Sequence, residues 1–173
     1  MQKLIMLVTI LGLTLLGVQN CFGQCYALPG PDSNEERLFA QSTCGGVSND
    51  PPYPTVFSTN ETRTITKIGT YHWNQSTGST PGTIGLRDRN GKIWGPWQAK
   101  GLDGQSGVHN VNWVAELSPA VDLPAGTDAI IDSNPSTWSY AEETENSGIA
   151  SVDCAKDRHH QGNKASMCRR RNF

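Results

Sequence analysis

Residues 83–94 read T-I-G-L-R-D-R-N-G-K-I-W, and this stretch decides the fold class. It reads as two short strands, T-I-G-L-R-D and R-N-G-K-I-W, joined at Asn90-Gly91, a dipeptide that tolerates the positive φ of a tight hairpin. Upstream, T-R-T-I-T-K-I-G-T-Y-H-W (residues 62–73) is rich in β-branched and aromatic residues and has no helical apolar stripe, so it reads as a strand. Downstream, Val108, Val111, Trp113 and Val114 mark another strand. Their spacing is not a clean alternation, which points to a bulge. Leu123-Pro124-Ala125-Gly126 is a turn and Ala129-Ile130-Ile131 a buried strand. Asp132-Ser133-Asn134-Pro135 is a second turn, because Asx and Ser side chains bond nearby N–H groups and Pro135 ends a ladder. Thr137 to Tyr140 reads as an extended edge segment, and Gly148 to Val152 as the last strand. Short strands at turn-punctuated intervals, with no internal repeat, give an all-β fold: an antiparallel, jelly-roll-like β-sandwich spanning residues 55–152.

The flanks differ in character. After Met-Gln-Lys, the run from Leu4 to Val18 is too short to span a bilayer and reads as the core of a signal peptide, residues 1–23, with cleavage after Gly23. Residues 24–54 are dense in turn formers. One short helix is expected there over Glu35–Gln41, because S-N-E-E at Ser33–Glu36 fits a capping box. Residues 153–173 form a basic tail carrying Lys156, Arg158, Lys164, Arg169, Arg170 and Arg171. The tail lacks the interleaved aromatics that would stack on nucleic-acid bases. Cleavage leaves Cys25, Cys44, Cys154 and Cys168, an even count that in an exported chain reads as two disulfides tying down the ends. The nested pairing Cys44–Cys154 and Cys25–Cys168 is the expectation, since the first pair closely flanks the β module.

Six ordered blocks, I-T-K-I-G-T-Y-H-W-N, P-G-T-I-G-L, G-P-W-Q-A, G-V-H-N-V-N-W, L-P-A-G-T and I-D-S-N-P-S-T-W-S-Y, resemble a β-rich module recurrent in secreted bacterial and archaeal proteins. The resemblance implies a compact extracellular β module and carries no residue role with it. The chain departs from the pattern at Asp128, where such modules have an aromatic, and at the acidic E-E-T-E-N-S-G before the final strand.

The five tryptophans exceed what a core of this size needs, so some are candidates for binding. Trp97 lies just past the kink of I-W-G-P-W-Q, and Trp73 adjoins a polar turn. Exposed aromatics stack on pyranose faces while neighbouring amides bind hydroxyls, which makes His72, Trp73, Asn74, Trp97 and Gln98 the candidate ligand site. Trp113 and Trp138 read as core. Asp132 and Asn134, with Asp88 and Asp103 in Gly-rich surroundings, could supply oxygens to calcium, although turn capping explains Asp132 and Asn134 more simply. No other cofactor is implied. Catalytic motifs G-x-S-x-G, H-E-x-x-H and CxxC are absent, so the chain reads as a non-enzyme. Asn60-Glu61-Thr62 and Asn74-Gln75-Ser76 match the N-glycosylation pattern, which matters only in a eukaryotic source. The expected function is recognition by a secreted monomer of an extracellular glycan or protein ligand, without nucleic-acid binding or membrane insertion. The competing readings are a structural or protein-interaction component of a matrix or envelope, and a small secreted effector.

Overall fold

The computed structural model describes residues 28–156. The expected signal peptide, Cys25, Cys168 and nearly all of the basic tail lie outside the described residues. Among the described residues eleven strands follow in order: β1 Glu35–Gln41, β2 Ser48–Asn49, β3 Val56–Thr59, β4 Arg63–Tyr71, β5 Thr83–Asp88, β6 Ile93–Gln98, β7 Lys100–Leu102, β8 Asn112–Leu123, β9 Gly126–Asp132, β10 Ser139–Tyr140 and β11 Ala150–Ala155. One sheet has the order β1-β11-β4-β8-β7, a second β3-β9-β5-β6, and β10 pairs with β2 in a small third ladder. The named ladders are antiparallel.

Period-2 alternation builds the core. Ile84 and Leu86 of β5, Ile130 of β9 and Phe57 of β3 join Ile65 and Ile68 of β4, Trp113 and Ala115 of β8, and Ala150 and Val152 of β11 in one buried cluster between the two large sheets. Each fully buried Ile or Leu there stabilises the fold by about 1.5–3 kcal/mol. Leu28, Tyr71, Val111 and Ile149 form a second, smaller cluster. Trp113 and Trp138 are core residues, as expected. Their indole N–H groups donate to Ser79 O at 3.1 Å and Ile149 O at 2.9 Å.

The β5–β6 hairpin is present, but a longer turn closes it than the Asn90-Gly91 dipeptide predicts. Asp88 Oδ1 accepts the N–H groups of Asn90 and Lys92, both at 2.8 Å, and Gly91 alone takes a positive φ, +86°. Strand β8 does carry a bulge, but beyond Val108–Val114, where the spacing pointed to one; Trp113 and Val114 pair in regular register with Thr70 and Gly69. Ile65 pairs with Val121 but Lys67 with Glu116, so the segment around the cis Ser118-Pro119 bond is looped out of the ladder.

Glu35–Gln41 is a strand rather than the expected helix. It lies along β11 from Glu35↔Ala155 to Gln41↔Ala150, and pairing along its length outweighs the local capping signal. The carboxylate of Glu36, the expected capping residue, instead pairs with Arg63, while that of Glu35 accepts the Asp32 N–H at 2.9 Å and the Lys67 ammonium at 2.8 Å. Burial pushes the Glu35 carboxyl up, but the Lys67 ammonium, the Asp32 N–H and the Thr66 hydroxyl together hold it below its ordinary value. Strand β11 runs on past Val152 to Ala155, so the first residues assigned to the tail belong to the sheet.

The expected Cys44–Cys154 bridge is absent. Cys44 is exposed, whereas Cys154 is wholly buried on β11 with its sulfur 3.0 Å from Arg63, a contact that raises the guanidinium pKa. A bridge between them would require Cys154 to leave the core.

Candidate functional site

The candidate ligand residues do not form one surface. His72 ends wholly buried, with its ring stacked on Trp113 at 3.7 Å between centroids. Its Nε2 lies 3.0 Å from Thr70 Oγ1 and 3.2 Å from Asp132 Oδ2, and its Nδ1 lies 2.9 Å from Thr137 Oγ1. Thr70 Oγ1 donates to the same Asp132 oxygen at 2.9 Å, so that carboxylate oxygen faces two donors and places the imidazole proton on Nε2. Nδ1 then accepts from Thr137. An Asp–His–hydroxyl sequence has the donor order of a nucleophile relay, but an imidazole with no exposed surface cannot reach a substrate. This arrangement clamps the end of β4 to β9 and to the turn after it.

Trp73 is half-buried against the smaller cluster, and its backbone N–H donates to Ser139 Oγ at 2.8 Å. Asn74 braces its own loop: Nδ2 donates to Gly78 O at 2.8 Å and Oδ1 accepts from Asn49 Nδ2 at 3.1 Å. Glycosylation at Asn74 would break this brace, whereas Asn60 lies exposed in a turn. Trp97 sits on the other large sheet and packs half-buried against the main core. Gln98 Nε2 donates to Gly82 O at 2.8 Å.

The calcium role assigned to Asp132 and Asn134 is also displaced. Asp132 Oδ1 accepts the Asn134 N–H at 2.8 Å, an Asx turn, while Oδ2 serves Thr70 and His72. Asn134 Oδ1 accepts from Ser136 Oγ at 2.7 Å. Asp103 stands apart and exposed, 3.0 Å from His109 Nδ1.

A different place has the geometry of a binding site. Across the outer face of the four-stranded sheet, Val56 pairs with Ala129, Ala129 with Arg87, and Arg87 with Ile93. This makes one continuous rung. Val56 and Ile93 are exposed large apolar side chains, and Arg87 stands exposed between them. A groove of about 430 Å³ is lined by Pro54, Val56, Arg87, Arg89, Asp128 and Ala129, among others. Neither Arg87 nor Arg89 has a side-chain hydrogen bond or ion pair among the described residues, so both guanidiniums are available to a ligand. The inner face of the same strands carries the rung Phe57–Asp128–Asp88. Asp128 is 3% exposed, and burial beside the core, reinforced by the charge of Asp88, raises its carboxyl above the ordinary value.

The sequence reading missed this groove because its residues come from three strands. The signals that could have found it were the exposed-face position of Arg87 between Leu86 and Asp88, and the acid at Asp128. No protein-family model, curated protein or solved structure matches the chain.

Proposed function

We propose that this chain is a non-catalytic recognition module, exported from the cell, which binds an acidic carbohydrate on the outer face of its four-stranded sheet. The observation that carries the reading is the rung Val56–Ala129–Arg87, which lines the 430 Å³ groove and continues to the exposed Ile93, with Arg87 and Arg89 uncommitted to any partner among the described residues. A guanidinium takes a carboxylate through two parallel N–H···O bonds, which a neutral sugar cannot match. The apolar C–H faces of a pyranose lie against Val56, Ile93 and Ala129, and such a surface is shallow enough to admit a chain rather than a single sugar. The module is a jelly-roll-like sandwich of extracellular type, acting as a monomer with its N-terminal segment tied by a disulfide that uses Cys44. The test is binding of the purified chain to soluble polyuronate and to neutral glucan. Saturable binding to polyuronate alone, weakened at least about tenfold by Arg87→Ala, supports the reading. Equal binding to both polymers, or retention of affinity in Arg87→Ala, refutes it.

A second reading has its own observation. Val56 and Ile93 are exposed by 47% and 60%, and they lie on the same sheet face. As a protein-interaction component of a matrix or envelope, the chain would use this apolar rung against another protein. Absence of binding to every glycan, with Ile93→Asp abolishing retention in the native matrix, would favour that assignment.

A further inference from the structure

The pair Asp128 and Asp88 points to a ligand of a different kind. The two residues are direct cross-strand partners on β9 and β5, so their side chains share the same face. Like charges placed this way repel, and the fold tolerates them only if something compensates. Asp88 is partly compensated: its Oδ1 accepts two backbone N–H groups of the β5–β6 turn. Its second oxygen accepts nothing among the described residues. Asp128 has no hydrogen-bond or ion-pair partner among the described residues and is 97% buried, next to Phe57 in the same rung. A buried carboxylate without a partner is costly and is found neutralised, paired or metal-bound.

A cavity of about 190 Å³ opens beside the pair. It is lined by Asp88, Asn90, Asp128 and the turn residues Pro124, Ala125 and Gly126, together with Arg89 and Thr127. Its potential donors are oxygens: carboxylates, an amide carbonyl, a hydroxyl and the carbonyls of a turn. It contains neither imidazole nor sulfur, which excludes the donor set that zinc prefers and matches that of a hard cation. A volume several times that of one water accommodates an ion that keeps part of its hydration shell.

We propose that Asp128 and Asp88 hold a calcium ion in this cavity, between the turn preceding β9 and the β5–β6 turn. The ion supplies the positive charge that the carboxylate pair lacks, and it locks together two turns that border the larger groove. Arg89 is the one competing cation. It lines the cavity but forms no ion pair with either acid, so it is free to be displaced. The proposal does not depend on the glycan reading, because the ion alone is the ligand.

The experiment is thermal unfolding and calorimetric titration of the purified, chelator-treated chain with calcium chloride in the absence of any glycan. Calcium at millimolar concentration should raise Tm by several degrees, because an ion that binds only the folded state stabilises it by mass action. Asp128→Asn should weaken calcium binding at least about tenfold while raising Tm in the absence of calcium, since the buried charge is gone. Arg89→Ala should tighten calcium binding, whereas it should weaken polyuronate binding if the groove reading is also correct. A wild-type chain that shows no calcium response, but whose stability rises as the pH falls, would mean that a proton is the occupant and would overturn the proposal. A calcium response that survives Asp128→Asn would overturn it equally.

Discussion

Replacing His72 by phenylalanine separates a structural imidazole from a ligand-binding one. Phenylalanine keeps the ring area and the stack on Trp113, so little cavity is created. What is lost are the contacts of Nε2 with Thr70 and Asp132 and of Nδ1 with Thr137. Asp132 keeps the Thr70 hydroxyl and the Asn134 N–H, and Thr137 keeps Asn134 O and Ser79 Oγ, so neither partner is left bare. A neutral buried hydrogen bond contributes about 0.5–1.5 kcal/mol and one to a charged group about 1.5–3 kcal/mol. Counting one bond for each ring nitrogen, since Thr70 and Asp132 share the single Nε2 proton, the sum is a loss of about 2–4.5 kcal/mol for His72→Phe. His72→Ala adds the cost of an emptied ring site and should be worse by about 2 kcal/mol. Urea unfolding followed by tryptophan fluorescence reads this as a lower midpoint at unchanged m-value. A His72→Phe chain as stable as the wild type would refute the clamp. If that same chain also lost glycan binding, the imidazole would belong to the ligand surface after all.

Gly148→Ala should be among the most damaging small substitutions, by about 3 kcal/mol or more in the same urea assay, because an added Cβ would lie 2.2 Å from the buried Trp138 ring. Asp128→Asn should stabilise the calcium-free chain above the raised folded-state pKa of Asp128. The gain should shrink as the pH falls and vanish below the ordinary value of 3.8, because a raised carboxyl binds its proton more tightly in the folded state. Glu35 has the opposite sign. Its lowered pKa contributes stability at neutral pH that is lost as the pH falls through the folded value, so Glu35→Gln should cost about 1 kcal/mol at pH 7 and nothing in strong acid. Peptide mapping without reduction should find Cys44 linked to a cysteine other than Cys154. A Cys44–Cys154 peptide would contradict the buried position of Cys154.

The sequence by itself determined the class of the fold and several of its parts. The Asn90-Gly91 turn signal placed β5, the apolar run Ala129-Ile130-Ile131 placed β9, Asp132-Ser133-Asn134-Pro135 declared a turn, and Trp113 and Trp138 read as core; each is a local pattern, set by turn formers, by short apolar runs or by a side chain bonding its own backbone. Tertiary structure alone decided what depended on partners distant in the chain. The capping box at Ser33–Glu36 lost to β11, because a full ladder of backbone bonds outweighs one local cap. His72 looked like a polar surface group beside a tryptophan, but Thr70, Asp132 and Thr137 satisfy its nitrogens and so allow it into the interior. The Asp88–Asp128 pair and the rung centred on Arg87 exist only because β5, β9, β3 and β6 are aligned in one register. A register is fixed by the burial of whole strands against the opposite sheet, and no single stretch of sequence contains it.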